Sequence, residues 1–264
     1  MPRLPPPLVP ATVPAMTWEY AARSDRGLRR RRNEDALLVA PERRLFAVAD
    51  GMGGHAAGDV ASALAVATLD AAIPRVPSSR LGAATLARRL RAAFAAAHAA
   101  LIAHGRAQPS RYGLGTTMTA LAPLRSQPAC VIAHVGDSRA YLLRAGQLHQ
   151  LTRDHTWVQQ QVDLGMLSPA QAASHPYSSI LLRVLGGGGD PGPADICTVT
   201  FEPGDLFLLC TDGLSGVIAT ADLQALLARD LPLAVLADQL VAATHLRGAP
   251  DNLTLVLLRA PASS

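Results

Sequence analysis

Apolar and polar positions along the chain follow two different periods. Short apolar runs at Trp18 to Ala22, Ala36 to Ala40 and Leu45 to Ala49 predict strands, and the polar turn Pro41 to Arg44 joins the last two as a hairpin. A 3.6-residue period then takes over. Val60, Leu64 and Ala67 share one helical face, as do Leu86, Leu90, Phe94, Ala97 and Leu101, with Arg88, Arg89 and Arg91 elsewhere on the surface. Pro74 and Pro77 separate the two helices. Strands return at Thr116 to Leu124, Ala129 to Val135, Ala140 to Leu143 and Leu148 to Leu151, with turn signals at Pro128, Gly136 and Gly146. Thr156 to Leu164 and Pro169 to Ala173 read as small helices in a polar, glutamine-rich insertion that ends at the glycine run Gly186 to Gly189, a candidate lid. Strands Ile196 to Phe201 and Asp205 to Cys210, helices Asp222 to Arg229 and Leu233 to Leu246, and a strand Leu253 to Leu258 complete the pattern. Strands in hairpins and helices in pairs, without strict alternation, predict an α+β fold of layered antiparallel sheets with helices packed outside. Residues 1–16 carry six prolines and read as a poorly ordered arm, so the folded domain is expected over 17–260.

Length and composition narrow this picture. The 264 residues suit one domain, and 49% apolar with 17% charged residues at a mean hydropathy of +0.20 is the balance of a compact core rather than of disorder. The longest nearly uncharged stretch, Ala92 to Ala103, falls short of the ~20 apolar residues that cross a bilayer. The arm has no continuous apolar stretch of the kind a secretory leader needs. Cys130, Cys197 and Cys210 are odd in number and far apart, which fits reduced thiols and a cytoplasmic setting without membrane attachment. The formal charge is +4, and every one of the 24 basic residues is arginine. With no lysine, Schiff-base chemistry and a lysine-bearing phosphate loop are excluded. Aromatic residues make up only 4%, too few to interleave with arginines as a nucleic-acid surface would require.

Acidic residues recur where predicted strands end: Asp50-Gly51, Asp137 after Gly136, Asp212-Gly213 and Asp251-Asn252. Asp50 and Asp212 each close a buried run, so both carboxylates belong at a sheet rim, side by side if their strands are neighbours. Clustered carboxylates repel unless a cation lies between them, and oxygen-only ligation suits Mg²⁺ or Mn²⁺. Four consecutive arginines, Arg29 to Arg32, lead into Asn33-Glu34-Asp35, and guanidinium forks match phosphate oxygens. Cys210, inside an apolar run, is no nucleophile.

In chain order, RSDRGLRRRRNEDA (23–36), ADGMGGHAAGDVAS (49–62), GLGTT (113–117), HVGDSRAYLLR (134–144), LTRDHT (151–156), LLCTDGLS (208–215) and APDNLTLVLL (249–258) resemble the PPM family of metal-dependent serine/threonine protein phosphatases, the type 2C enzymes, and its bacterial branch in particular. The resemblance spans Trp18 to Arg259. It implies a four-layer αββα sandwich and hydrolysis of phosphoserine or phosphothreonine by a water or hydroxide bridging two divalent ions, without a phosphoenzyme. It further implies Asp50, Gly51, Asp212 and Asp251 as ligands of two core Mn²⁺ or Mg²⁺ ions, and Glu34 and Asp35 as holders of metal waters. Asp137, with Ser179, matches the ligands of a third, looser ion, and Arg30 matches the phosphate-binding arginine. The segment from Thr156 to Tyr177 matches the family's flap. Implied partners are phosphorylated proteins, including a serine/threonine kinase and its substrates, and a monomer is the default expectation.

The chain also departs from the family. Met52 stands where many eukaryotic members carry a histidine proposed as general acid, so the leaving-group proton must come from elsewhere. His155 is a possible donor but reads better as a structural histidine in a turn, and His55 as a residue that packs or orients the helix after the metal loop. A pseudophosphatase that binds phosphoproteins without hydrolysis and a small-molecule phosphatase are the alternatives. Gly51 to Ala56 also fits the dinucleotide fingerprint G-x-G-x-x-A, but Asp50 would then face a pyrophosphate, and the repeated βαβ units are missing.

Overall fold

Continuous apolar runs form where a strand is covered on both faces, and this chain builds two sheets of that kind back to back. The structure, a computed structural model, describes residues 17–52, 57–73, 81–108, 111 and 113–261. The expected proline-rich arm, His55 and the prolines between the first two helices lie outside the described residues.

In chain order the elements are β1 (Glu19–Asp25), β2 (Asp35–Ala40), β3 (Leu45–Met52), α1 (Gly58–Ala72), α2 (Ala83–Ala107), β4 (Gly115–Thr116), β5 (Met118–Pro123), β6 (Ala129–Val135), β7 (Arg139–Arg144) and β8 (Gln147–Gln150). They continue with α3 (Trp157–Asp163), α4 (Pro169–Ala173), β9 (Leu185–Gly186), β10 (Asp195–Thr200), β11 (Leu206–Cys210), α5 (Asp212–Ser215), α6 (Thr220–Leu227), α7 (Leu233–Leu246) and β12 (Leu253–Arg259). One sheet has the order β1-β12-β11-β7-β8; the other runs β10-β6-β5-β3-β4-β9 with β2 also paired to β3. Every pairing is antiparallel.

Side-chain alternation then builds three apolar layers. In β3, Leu45, Ala47 and Ala49 pack beneath α1 and α2, while Phe46 and Val48 point to the other sheet. In β11, Leu206, Leu208 and Cys210 pack beneath α6 and α7, while Phe207 and Leu209 meet Phe46 and Val48 in the central layer. The result is the expected αββα sandwich.

Three local features differ from the sequence pattern. Thr116 to Leu124 is not one strand. Thr117 turns its N–H to the Asp50 carbonyl (2.9 Å), splitting the run into β4, which pairs with Gly51 and Met52, and β5, which pairs with Phe46 to Val48. A short helix, α5, follows β11 directly. The insertion expected as a lid closes on itself over a longer span than Thr156 to Tyr177: the Trp157 N–H bonds the Ile180 carbonyl and the Leu182 N–H the His155 carbonyl, both at 2.8 Å. Its second helix is fixed by a capping box between Ser168 and Gln171.

Phe207, fully buried between the sheets, tests the layer model. Phe207→Ala should lower unfolding free energy by about 3–5 kcal/mol in urea denaturation, the usual cost of emptying an aromatic site. A loss below about 1 kcal/mol would mean that this layer does not hold the sheets together.

Candidate metal centre

The strands that lead to Asp50 and Asp212 are not neighbours in a sheet, as adjacency along a rim would require; β3, which carries Asp50, belongs to one sheet, and β11, which runs into Asp212 at the start of α5, belongs to the other. Their ends meet across the sandwich instead, where the Asp50 and Asp212 carboxyls line one cavity and influence each other's ionisation. Two buried carboxyls side by side disfavour full charge on both. Asp35 stands opposite Asp50 in the β2–β3 register, Asp137 occupies the turn between β6 and β7, and Asp251 lies just before β12.

The loop from β1 to β2 completes the site and is held from behind. Asn252 accepts the Glu34 N–H on its Oδ1 and donates from Nδ2 to the carbonyls of Arg26 and Arg32, each at 2.8 Å. Gly27 has φ +72, and a side chain there would run into the Asp251 carbonyl, so only glycine lets the loop lie this close. At Gly51 a Cβ would overlap the carbonyls of Gly58 and Glu34, which explains how α1 can approach the end of β3.

The outcome is a cavity of 240 Å³ lined by eight of the nine predicted residues: Arg30, Glu34, Asp50, Gly51, Asp137, Ser179, Asp212 and Asp251. Asp35 is not in the lining. It lies behind, one oxygen accepting from the Thr211 hydroxyl at 2.8 Å. Of the four arginines only Arg30 reaches the cavity, and its guanidinium donates to Asp251 Oδ2 at 2.6 Å. Met52 lines the wall. His155 does not: its Nδ1 accepts the Gly136 N–H at 3.0 Å, Nε2 faces Asp195 and Arg183, and the ring stacks on His134. It is held as a structural histidine.

Burial dominates the electrostatics. Desolvation pushes Asp35 up to about 7, with Asp212 and Asp251 adding to the rise and the Thr211 and Thr254 hydroxyls opposing it. Asp137 rises to about 8, first by burial, then by the charges of Asp212 and Asp154, against the pull of Arg139. Asp50 and Asp212 are also raised, again chiefly by burial. Burial pushes the Cys210 thiol up to about 12, which removes it as a nucleophile.

Do these residues fit divalent cations? The donors are all oxygen. Among the described residues, the Oδ1 atoms of Asp35 and Asp212 are buried with no hydrogen-bond partner, an arrangement that costs free energy until a cation or its waters are supplied. Among the described residues no three His, Cys, Asp or Glu side chains already converge as a finished cluster, and Asp251 is turned onto Arg30. The oxygen-only donor set fits Mg²⁺ or Mn²⁺.

Several contributors carried no assigned role in the sequence reading. Thr117 lines the cavity, takes the Asp50 N–H on its hydroxyl and reaches Ser138 at 2.7 Å. Asn252 clasps the arginine loop, and Arg139 pairs bidentately with Asp154 beside Asp137. Their motifs were visible; their partners, distant in sequence, were not.

Comparison with known proteins agrees with this architecture. The family model for protein phosphatase 2C matches residues 28–254. The serine/threonine protein phosphatase PstP of Mycobacterium tuberculosis is 43% identical over 92% of this chain, which spans only 45% of that protein's length. The serine/threonine phosphatase stp of Listeria monocytogenes is 36% identical over 89% of this chain and 93% of its own. A solved structure of the catalytic domain of PstP in complex with 2 manganese ions superposes with a TM-score of 0.80, at 37% identity, covering 92% of this chain and 98% of that one.

The raised carboxyls set the pH response of the chelated protein. Protons retained in the folded state are lost by the unfolded chain near the ordinary aspartate value of 3.8, so stability falls as pH rises from there through about 8. Urea unfolding in chelator should show about 1–3 kcal/mol less stability at pH 8 than at pH 6. Added Mn²⁺ should reverse the trend, and a flat or rising profile in chelator would contradict this electrostatic picture.

Proposed function

The chain belongs to the protein phosphatase 2C family, and from that premise we propose that it hydrolyses phosphoserine and phosphothreonine in proteins using two Mn²⁺ or Mg²⁺ ions. The observation that carries the proposal is the convergence of Asp50, Asp212, Asp251 and Arg30 on one cavity, with orphaned carboxylate oxygens beside it. Asp50, the Gly51 carbonyl, Asp212 and Asp251 would hold the two core ions, and Asp137 with Ser179 a third. Bound ions of this type acidify water at neutral pH and neutralise charge on a phosphoryl group.

The protein's own groups do the rest. The Asp50 backbone is fixed at both ends: its N–H donates to the Thr117 hydroxyl at 3.0 Å, and its carbonyl accepts from the Thr116 hydroxyl at 2.7 Å and the Thr117 N–H at 2.9 Å. Glu34, at the cavity edge, and Asp35, behind it, orient water by accepting its hydrogen bonds. Arg30 exchanges Asp251 for the phosphate oxygens of the substrate, which its planar fork matches. Met52 has no proton to give and His155 is held by Gly136 and Asp195, so the leaving serine or threonine oxygen takes a proton from water in the cavity, which the water that attacks phosphorus restores with its own proton. Substrates of this kind include a serine/threonine kinase and the proteins it phosphorylates. The enzyme acts as a monomer in the cytoplasm.

Hydrolysis of p-nitrophenyl phosphate and of a phosphothreonine peptide, measured after chelation and after return of Mn²⁺ or Mg²⁺, tests this reading. Activity should return with metal and fall by about 10³-fold or more in Asp212→Asn. No turnover with either metal would overturn it. Arg30→Ala should cut kcat/KM by about 10- to 100-fold, the worth of a lost charge-assisted contact.

A further inference from the structure

Only two of the four consecutive arginines have a carboxylate partner among the described residues. Arg30 reaches Asp251, and Arg32 pairs with Asp59 at 3.5 Å in the first turn of α1. Arg29 and Arg31 flank the residue that enters the cavity; both are exposed, and among the described residues no carboxylate pairs with either. Their backbone is not loose. The Gly27 N–H bonds Asp25 at 2.7 Å, the Leu28 N–H bonds the Ala249 carbonyl at 2.9 Å, and Asn252 grips the carbonyls of Arg26 and Arg32 on either side. A rim held in this way presents its charges at little ordering cost.

We infer that Arg29 and Arg31 form a docking rim for aspartate and glutamate residues that flank the phosphorylated residue of a protein substrate. The inference rests on the phosphatase reading, because Arg30 must hold the phosphate for its neighbours to meet the flanking residues. Extended chain advances about 3.3 Å per residue, so side chains one to three positions from the phosphoresidue lie within the span of an arginine arm. Guanidinium forks pair with carboxylates bidentately, and adjacent like charges on the rim repel one another until an anionic segment binds. The preference therefore resides in substrate capture and appears in KM more than in kcat.

Two phosphothreonine peptides that differ only in flanking Asp and Glu against Ala and Gln test the inference. Hydrolysis with Mn²⁺ and binding of fluorescein-labelled copies by anisotropy should be measured for the unaltered chain and for the Arg29→Gln/Arg31→Gln variant. The unaltered chain should favour the acidic peptide about tenfold at low salt, with the ratio shrinking as salt rises. In the variant the ratio should fall to about twofold or less. Equal treatment of both peptides, or a preference that survives in the variant, would overturn the inference. Should neither peptide be hydrolysed, the enzymatic reading fails, while the anisotropy ratio still decides for or against the rim.

Discussion

Placing several carboxylates in one buried space is the costliest thing this fold does. Each loses hydration, each repels the others, and the outcome is a raised proton affinity at Asp35, Asp50, Asp137 and Asp212. Among the described residues, two buried carboxylate oxygens are still left without a partner. Such an arrangement persists only where the surrounding scaffold is stable enough to hold it, and where something that binds there recovers the cost.

The scaffold meets that demand through layering. The strands that deliver Asp50 and Asp212 are covered on both faces, one by α1 and α2, the other by α6 and α7, with Phe46 and Phe207 sealing the centre. Because the strand ends that lead to Asp50 and Asp212 come from different sheets, the separation of the two sheets sets the separation of these carboxylates. Glycine at Gly27 and Gly51 permits the close approaches that bring the arginine loop and α1 to the same point. Asn252 ties that loop to the segment before β12, so Arg30 is carried by the same framework as Asp251. Positioning of Arg30 and of the cavity's carboxylates is thus one mechanical problem with one solution.

Much of this was legible in the residues. Buried runs ending in Asp-Gly announced where carboxylates meet sheet rims, and the 3.6-residue period of Leu86 to Leu101 announced α2. Other features depended on contacts that no local pattern encodes. Thr117 breaks a strand because the Asp50 backbone, far away in sequence, claims its N–H and hydroxyl. Asn252 carried no role of its own in the sequence and is a clasp between segments more than two hundred residues apart. Asp35 looked equivalent to its neighbour Glu34, yet only Glu34 lines the cavity, because consecutive residues of an extended chain point to opposite sides. That β3 and β11 lie in different sheets was likewise invisible, since strand order is set by tertiary packing.

The central claim is that the carboxylate cluster holds protons until divalent cations replace them. Calorimetric titration of Mn²⁺ into the chelated protein near pH 7, in two buffers of different ionisation enthalpy, tests it most directly. The account predicts two strongly bound ions per chain and an enthalpy that differs between buffers because protons are released, both lost in Asp50→Asn. Binding with no buffer dependence, or no binding at all, would contradict it.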